Sequence, residues 1–182
     1  MNHLGTVKLE SERLILRRIK EADAEEIFNG FVNQDGFLYY ANKKKRSLEE
    51  EKKSLEGIDK KYENKSYYNW LITLKGNGNI IGSINLRVEE KNETVEFNYA
   101  IDERYSSKGY MTEALNLIKE FSLNKLDVNR FQGGCCIENI ASKRVMEKCN
   151  MTCEGILRNY ILLNDGYHDM YMYSIINKKH KV

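Results

Sequence analysis

At 182 residues with 41% hydrophobic content, the chain is long enough for one sizeable core and too short for two ordinary domains, so a single domain over 1–182 is expected. Lys+Arg of 29 against Asp+Glu of 27 leaves a formal net charge of +2, which excludes an overall field able by itself to recruit nucleic acid or an anionic membrane. Met1 to Glu10 has no apolar run behind a basic start. No later stretch approaches the roughly 20 apolar residues that cross a bilayer, so a cytoplasmic location is the default and no membrane partner is expected.

In chain order, Arg13–Arg18 is a short apolar-centred run that suits a strand, and Ala22–Val32 places Ile27, Phe28 and Phe31 at helical spacing. Ser47–Tyr62 carries Leu48, Leu55, Ile58 and Tyr62 among many Lys and Glu, the pattern of an exposed amphipathic helix. Three strands follow, Tyr67–Leu74, Ile80–Glu89 and Thr94–Ile101, separated by Gly76-Asn77-Gly78-Asn79 and Glu90-Lys91-Asn92-Glu93. Gly109–Asn124 aligns Ala114, Leu117, Ile118 and Phe121 on one helical face, and Phe131–Ile137 returns to strand. Ile140–Cys149 is a short helix with Asn139 placed to cap it. Met151–Leu163 and Tyr167–Ile176 close the chain as a hairpin around Asn164-Asp165-Gly166. The order β-α-α-β-β-β-α-β-α-β-β gives a mixed α/β (α+β) layer structure.

Cys135, Cys136, Cys149 and Cys153 form neither a disulfide framework nor a paired zinc spacing, and are read as reduced thiols. His3, His168 and His180 are scattered, so no metal site is expected. Gly76-Asn77-Gly78-Asn79-Ile80-Ile81-Gly82 has its third glycine one residue late for a dinucleotide fingerprint, and a strand follows where a helix is required, so it reads as a hairpin turn.

The most informative junction is Val95 to Ile101, the polar loop Asp102 to Lys108, and the helix opening at Gly109. A strand delivers a loop to a helix N-terminus, whose free N–H groups and positive dipole end suit a pyrophosphate. The same residues also fit an ordinary strand-to-helix turn with Gly109 for backbone freedom.

Other segments agree in order and spacing. They are Arg13-Leu14-Ile15-Leu16-Arg17-Arg18 with Asp23, Ile81-Gly82, Lys108-Gly109-Tyr110-Met111-Thr112-Glu113-Ala114, Asn139-Ile140-Ala141-Ser142, and Glu154-Gly155-Ile156-Leu157-Arg158 before Asp165-Gly166-Tyr167-His168-Asp169. On these the chain resembles, over nearly its whole length, the GNAT acetyltransferase superfamily and its RimJ/RimL-type ribosomal-protein N-terminal acetyltransferases. The resemblance implies a central mixed, mostly antiparallel twisted sheet flanked by helices, with fourth and fifth strands splayed to admit the pantetheine arm of acetyl-CoA. It places the cosubstrate against Tyr99, Ile101, Ser106, Ser107, Lys108, Gly109, Tyr110, Met111 and Thr112, with Asn139 on the pantetheine arm and the Ser142 hydroxyl near the departing sulfur. The family's loop pattern is Arg or Gln, two residues, Gly, one residue, Gly or Ala. Here Ser106 stands at the cation, which removes a contact of about 1–3 kcal/mol, with Lys108 or Arg104 as replacements. Asn98 stands where this branch commonly has glycine, and Asn tolerates left-handed backbone well.

Ser142 suits thiolate protonation, with Tyr99, Tyr110 and Tyr160 as further candidates, although Asn139 as a simple cap with Ser142 facing solvent fits the same residues. Glu96 is the best candidate base, acting through water, against a charge-paired glutamate. An α-amine titrates near 7.7–8.0 and lysine near 10.4, about 2.5 units or roughly 3.5 kcal/mol apart, so weak basic equipment fits a protein N-terminus, acetylated by direct attack in a ternary complex. A nucleophilic role for Cys135 or Cys136 is not expected, since no partner residue flanks them; His168 reads as structural. Small-molecule amines (a polyamine, amino sugar or antibiotic) stay open as acceptors. Lys43-Lys44-Lys45-Arg46 beside Tyr39 and Tyr40 leaves an RNA-binding module as the non-enzymatic alternative. Exposed sheet edges are compatible with a homodimer.

Overall fold

The computed structural model describes residues 1–40 and 44–180. The chain runs β1 (Leu9–Glu10), β2 (Leu14–Arg17), α1 (Ala24–Asn29), α2 (Asp35–Tyr40), α3 (Leu48–Leu55), α4 (Ile58–Lys61), β3 (Tyr68–Leu74), β4 (Ile80–Glu89) and β5 (Thr94–Ile101). It continues with α5 (Tyr110–Asn124), β6 (Arg130–Cys136), α6 (Ile140–Lys148), β7 (Thr152–Leu163) and β8 (Gly166–Ile176). The strands form one sheet in the order β1-β2-β3-β4-β5-β6-β8-β7. Every neighbouring pair is antiparallel except β5 and β6.

The alternation along each strand sends one apolar set to each face. On one face Trp70, Ile72, Ile84, Leu86, Val95 and Phe97 pack under Ala114, Leu115, Ile118 and Phe121 of α5 and Met146 of α6. Full burial of each such Leu or Ile contributes about 1.5–3 kcal/mol. On the other face a smaller cluster joins Ile27 of α1, Phe31, Leu55 of α3 and Ile58 of α4 to Leu71 and Ile80. The same face carries the polar residues Asn69, Ser83, Asn85 and Asn98, since Asn69 opposes Asn85 and Asn85 opposes Asn98.

The strands β5 and β6 pair only through Thr94–Glu96 against Arg130–Gln132. Beyond those three pairs they diverge, and the fork they leave is the splay expected of the fourth and fifth strands, which are β5 and β6 here because β1 was not foreseen. Gly133 makes room there: a Cβ would come within 2.4 Å of the Phe97 ring.

Four local features differ from the sequence reading. The helix expected over 22–32 is confined to a 3-10 turn at Glu21–Asp23 and to α1, with Phe31 and Val32 buried beyond its end at Gly30. The single helix expected over 47–62 is two, because Gly57 takes a left-handed φ of 67° that ends α3 and opens α4. Ser47 caps α3, accepting from the Glu50 N–H while Glu50 reaches back to Ser47. α2 was not foreseen. Asn98 is extended within β5, so the left-handed tolerance of Asn has no part there.

Gly82 supports the fork from the β4 side. A Cβ on it would lie 2.3 Å from the Ala100 carbonyl oxygen, a backbone atom that can yield only if the strands separate. Gly82→Ala is expected to lower stability by about 1–3 kcal/mol, measured as an earlier urea midpoint with unchanged slope.

Candidate active site

The fork between β5 and β6 opens into a cleft of about 1110 Å³ that continues under α1–α4. Its lining includes Tyr99, Ile101, Ser106, Ser107, Gly109, Tyr110, Met111, Thr112, Asn139 and Ser142, so most of the residues singled out from sequence converge.

The loop after β5 is built on Asp102, which is fully buried. Burial opposes its charge, but hydrogen bonds from the Arg104 guanidinium, Gln34 and the Arg104 N–H outweigh that and hold the carboxyl below its ordinary value. Ser107 at φ 60° and Gly109 at φ 81° then turn the backbone left-handed on either side of Lys108. Among the described residues no group accepts from the N–H groups of Ser107 to Thr112, and the first α5 bond runs from the Glu113 N–H to the Gly109 carbonyl. These donors meet the positive end of a 15-residue helix, an arrangement that holds a phosphate without a side-chain cation.

Neither proposed replacement cation points into it. Arg104 is spent on Asp102. Lys108 Nζ donates to the Arg104 carbonyl at 2.9 Å and sits 5.4 Å over the Tyr105 ring, so only its backbone belongs to the loop. The residue that sequence reasoning missed is Arg13, 95 positions upstream of Lys108. Its Nε donates to Glu113 Oε2 at 2.7 Å and its Nη1 to the Lys108 carbonyl at 3.2 Å, and the guanidinium lies 4.5 Å over the Tyr110 ring. Arg13 therefore clasps the loop from behind. Its place at the head of the Arg13-Leu14-Ile15-Leu16 run was the available signal.

At the fork, the Tyr99 and Ser142 hydroxyls are 2.7 Å apart. Asn139 Oδ1 accepts from the Ser142 N–H at 3.1 Å, so it is the cap of α6 and fixes where that serine sits. Burial drives the Tyr99 phenol well above its ordinary value, which keeps it protonated and able to donate. Cys135 lies beside this pair with its thiol pushed up to about 11, chiefly by burial, and is not a thiolate nucleophile at neutral pH.

Glu96 stands apart. It faces Arg87, Nη2 to Oε2 2.8 Å, and Gln132, and lines a separate shallow depression rather than the cleft. The charge-paired reading of Glu96 describes it. Tyr160 is exposed at 58% on β7 and does not line the cleft.

Away from the loop the cleft is lined by Ile27, Phe31, Phe37 and Tyr40, by Arg46 and Glu51, and by Asn69, Asn85 and Asn98. Glu51 is 4% exposed and takes Arg46 Nη1 at 3.0 Å. Of the basic–aromatic segment, Arg46 is thus committed internally, Lys45 lies 3.8 Å from Asp35, and Lys43 falls outside the described residues. Tyr39 donates to Asp165 at 3.0 Å and meets His168 Nε2 at 3.3 Å, and His168 also contacts Asp165 at 2.9 Å and Glu138 at 3.4 Å.

That cluster ties α2 to the β7–β8 hairpin. The Asp165 hydrogen bond raises the His168 pKa against burial, and His168 in turn holds Asp165 below its ordinary value. A raised histidine stabilises fully below its unfolded value near 6.5 and loses that contribution as pH rises through the folded value. Protection of α2 amides, corrected for the intrinsic pH dependence of exchange, should therefore fall as pH rises above about 6.5 through the raised folded value, and His168→Gln should flatten the dependence.

Among the described residues no helix is long and apolar enough to cross a membrane, and no group of three His, Cys, Asp or Glu could hold a metal ion.

Residues 13–152 match the acetyltransferase (GNAT) domain family. An uncharacterized N-acetyltransferase of Bacillus subtilis, YoaA, is 28% identical over 94% of this chain and 97% of its own length. The ribosomal-protein-serine acetyltransferase of Escherichia coli is 31% identical over 98 residues, 53% of this chain and 55% of its own. In fold, the chain is similar to RimL, a ribosomal L7/L12 alpha-N-protein acetyltransferase solved with coenzyme A, at TM-score 0.77 and 22% identity over 93% of this chain and 98% of that one. The matched span takes in the Arg13 clasp, the loop, α5 and the Asn139–Ser142 turn, and with it the chain belongs to the GNAT family of acyl-CoA-dependent N-acetyltransferases.

Proposed function

We propose that this enzyme carries an acetyl group from acetyl-CoA to the α-amine of a protein N-terminus, by direct attack within a ternary complex. The observation that carries the reading is the Tyr99–Ser142 hydroxyl pair at the mouth of the fork, on the same cleft as the unpartnered N–H groups of Ser107 to Thr112. With the pyrophosphate on those N–H groups, the pantetheine arm follows the fork and brings the thioester to the hydroxyls. The amine nitrogen attacks the acetyl carbon, the carbon–sulfur bond breaks, and the leaving thiolate takes a proton from the pair. The amine's own proton passes to water, and water returns one to the pair, so the hydroxyls end the cycle protonated. Ser106, Gly109, Tyr110, Met111 and Ile101 line the arm's path, and Lys108 contributes backbone alone.

The acceptor assignment follows from charge. Cations lining the cleft, Arg46, Lys61, Arg144 and Lys148, outnumber the carboxylates Glu51 and Glu103, and Glu51 is neutralised by Arg46. A polyamine needs the opposite balance. With Glu96 drawn away to Arg87, the acceptor must reach its neutral form largely unaided, which an α-amine does about 2.5 units more readily than lysine. A ribosomal protein is the substrate suggested by the name of the Escherichia coli relative.

The test is thiol release from acetyl-CoA across N-terminal peptides, blocked peptides with free lysine, polyamines and amino sugars. Turnover confined to free α-amines supports the proposal. Turnover on small amines alone overturns the acceptor.

A further inference from the structure

Resting on that acceptor assignment, we propose that Asn85, with Asn98 beside it, determines specificity by binding the first peptide group behind the acceptor's amine. The two residues are directly opposed on β4 and β5, and Asn69 continues the row on β3. Opposed residues in an antiparallel pair bring their side chains within about 5.5 Å, so the row is a continuous strip of neutral amides across the cleft floor. Asn98 and Tyr99 are successive residues of β5 and present their side chains to opposite faces of the sheet, but both line the cleft that holds Ser142, so the strip and the hydroxyl pair share one cavity.

The members of the row are not equivalent. Asn69 Nδ2 donates to the Tyr67 hydroxyl at 3.2 Å. Among the described residues the side-chain amides of Asn85 and Asn98 bond to nothing, although both line the cleft and Asn85 is half-buried. Asn85, half-buried and without a protein partner, holds hydrogen-bonding capacity for a ligand, and the exposed Asn98 amide extends it.

The chemistry selects the ligand class. An amide offers one acceptor oxygen and two donor hydrogens, the complement of a peptide group's N–H and carbonyl. It offers no charge to a second ammonium. On the same face Arg87 and Glu96 satisfy each other, and in the cleft Arg46 neutralises Glu51.

The experiment measures kcat/KM at saturating acetyl-CoA. The acceptors are a neutral peptide with a free α-amine, the same peptide with an ester oxygen replacing its first peptide N–H, spermidine and glucosamine. Wild type should prefer amide over ester by about 3- to 10-fold. Asn85→Ala should bring that ratio close to one while leaving the KM for acetyl-CoA unchanged. Asn85→Asp should gain on spermidine relative to the peptide. Asn98→Ala gives a second reading of the ratio if Asn85→Ala melts early.

A ratio that survives both alanine variants, or wild type indifferent to the ester, overturns the assignment while leaving N-terminal acetylation standing. Glucosamine turned over in preference to the peptide, with the same Asn85 dependence, would give the strip to sugar hydroxyls and overturn it too. Failure of every α-amine, with spermidine or glucosamine turned over, removes the acceptor assignment and this inference together.

Discussion

Ser142→Ala is expected to lower kcat by about 10²-fold with little change in the KM for acetyl-CoA, because it removes half of the proposed donor pair, needed only as the carbon–sulfur bond breaks. Tyr99→Phe should cost a similar amount. The two hydroxyls share one hydrogen bond of 2.7 Å, so whichever donates to sulfur is oriented by the other. Groups that act as a unit are strongly non-additive: the double variant should be scarcely slower than the worse single one. Additive losses would mean that the hydroxyls serve separate steps. The measurement is steady-state thiol release for all four proteins, with the melting temperature of each as control, since Tyr99 is packed against Phe97 at a centroid distance of 6.0 Å. Cys135→Ser should retain turnover, as expected of a thiol held protonated by burial.

The second large effect belongs to Arg13. Arg13→Ala removes the donors to Glu113 and the Lys108 carbonyl and uncovers the Tyr110 ring. It also strands the Glu113 carboxylate, whose side chain is 19% exposed, on the Ser11 hydroxyl and the residue-13 N–H alone. The expected cost is about 1–3 kcal/mol of stability. The left-handed residues Ser107 and Gly109 then lose the brace that keeps their N–H groups together, and the KM for acetyl-CoA should rise about 10-fold, more than kcat falls. Arg13→Lys should rescue little, since an ammonium cannot span Glu113 and the Lys108 carbonyl while stacking on Tyr110. Isothermal titration with CoA and a urea titration separate the two effects.

These expectations rest on geometry that the sequence exposed unevenly. The β3–β5 meander, α5 and the Asn139 cap were legible because each depends on neighbours within one helical turn or one hairpin. α2 was not, since Asp35–Tyr40 is a six-residue segment with Gly36 inside it and too short to show a period. The split at Gly57 hid behind an apolar spacing that runs on through Ile58 and Tyr62. Tyr99 and Ser142 were named separately, but 43 positions divide them and only the α6 cap brings the serine to the strand. Glu96 shows the opposite case. Its strand and face were readable, yet whether a carboxylate meets substrate or a neighbouring arginine depends on the residue one strand away. The cross-strand register that pairs Arg87 with Glu96 is a tertiary fact.

The three residue pairs joining β5 to β6 also bear on how the molecule holds together. They make the sheet a zipper stopped after its third tooth, with the backbone edges of Phe97–Ile101 and Gly133–Cys136 left facing each other unjoined. A bilayered protein whose strands close edge to edge is mechanically continuous; this one is two rafts, β1 to β5 and β6 to β8, moored by a short seam and by the helices laid across it. A ligand seated in the fork supplies the missing teeth, and at 100 times its dissociation constant adds about 2.7 kcal/mol to the whole. Acetyl-CoA, seated in the fork as proposed, would fasten the sheet across the gap that admits it.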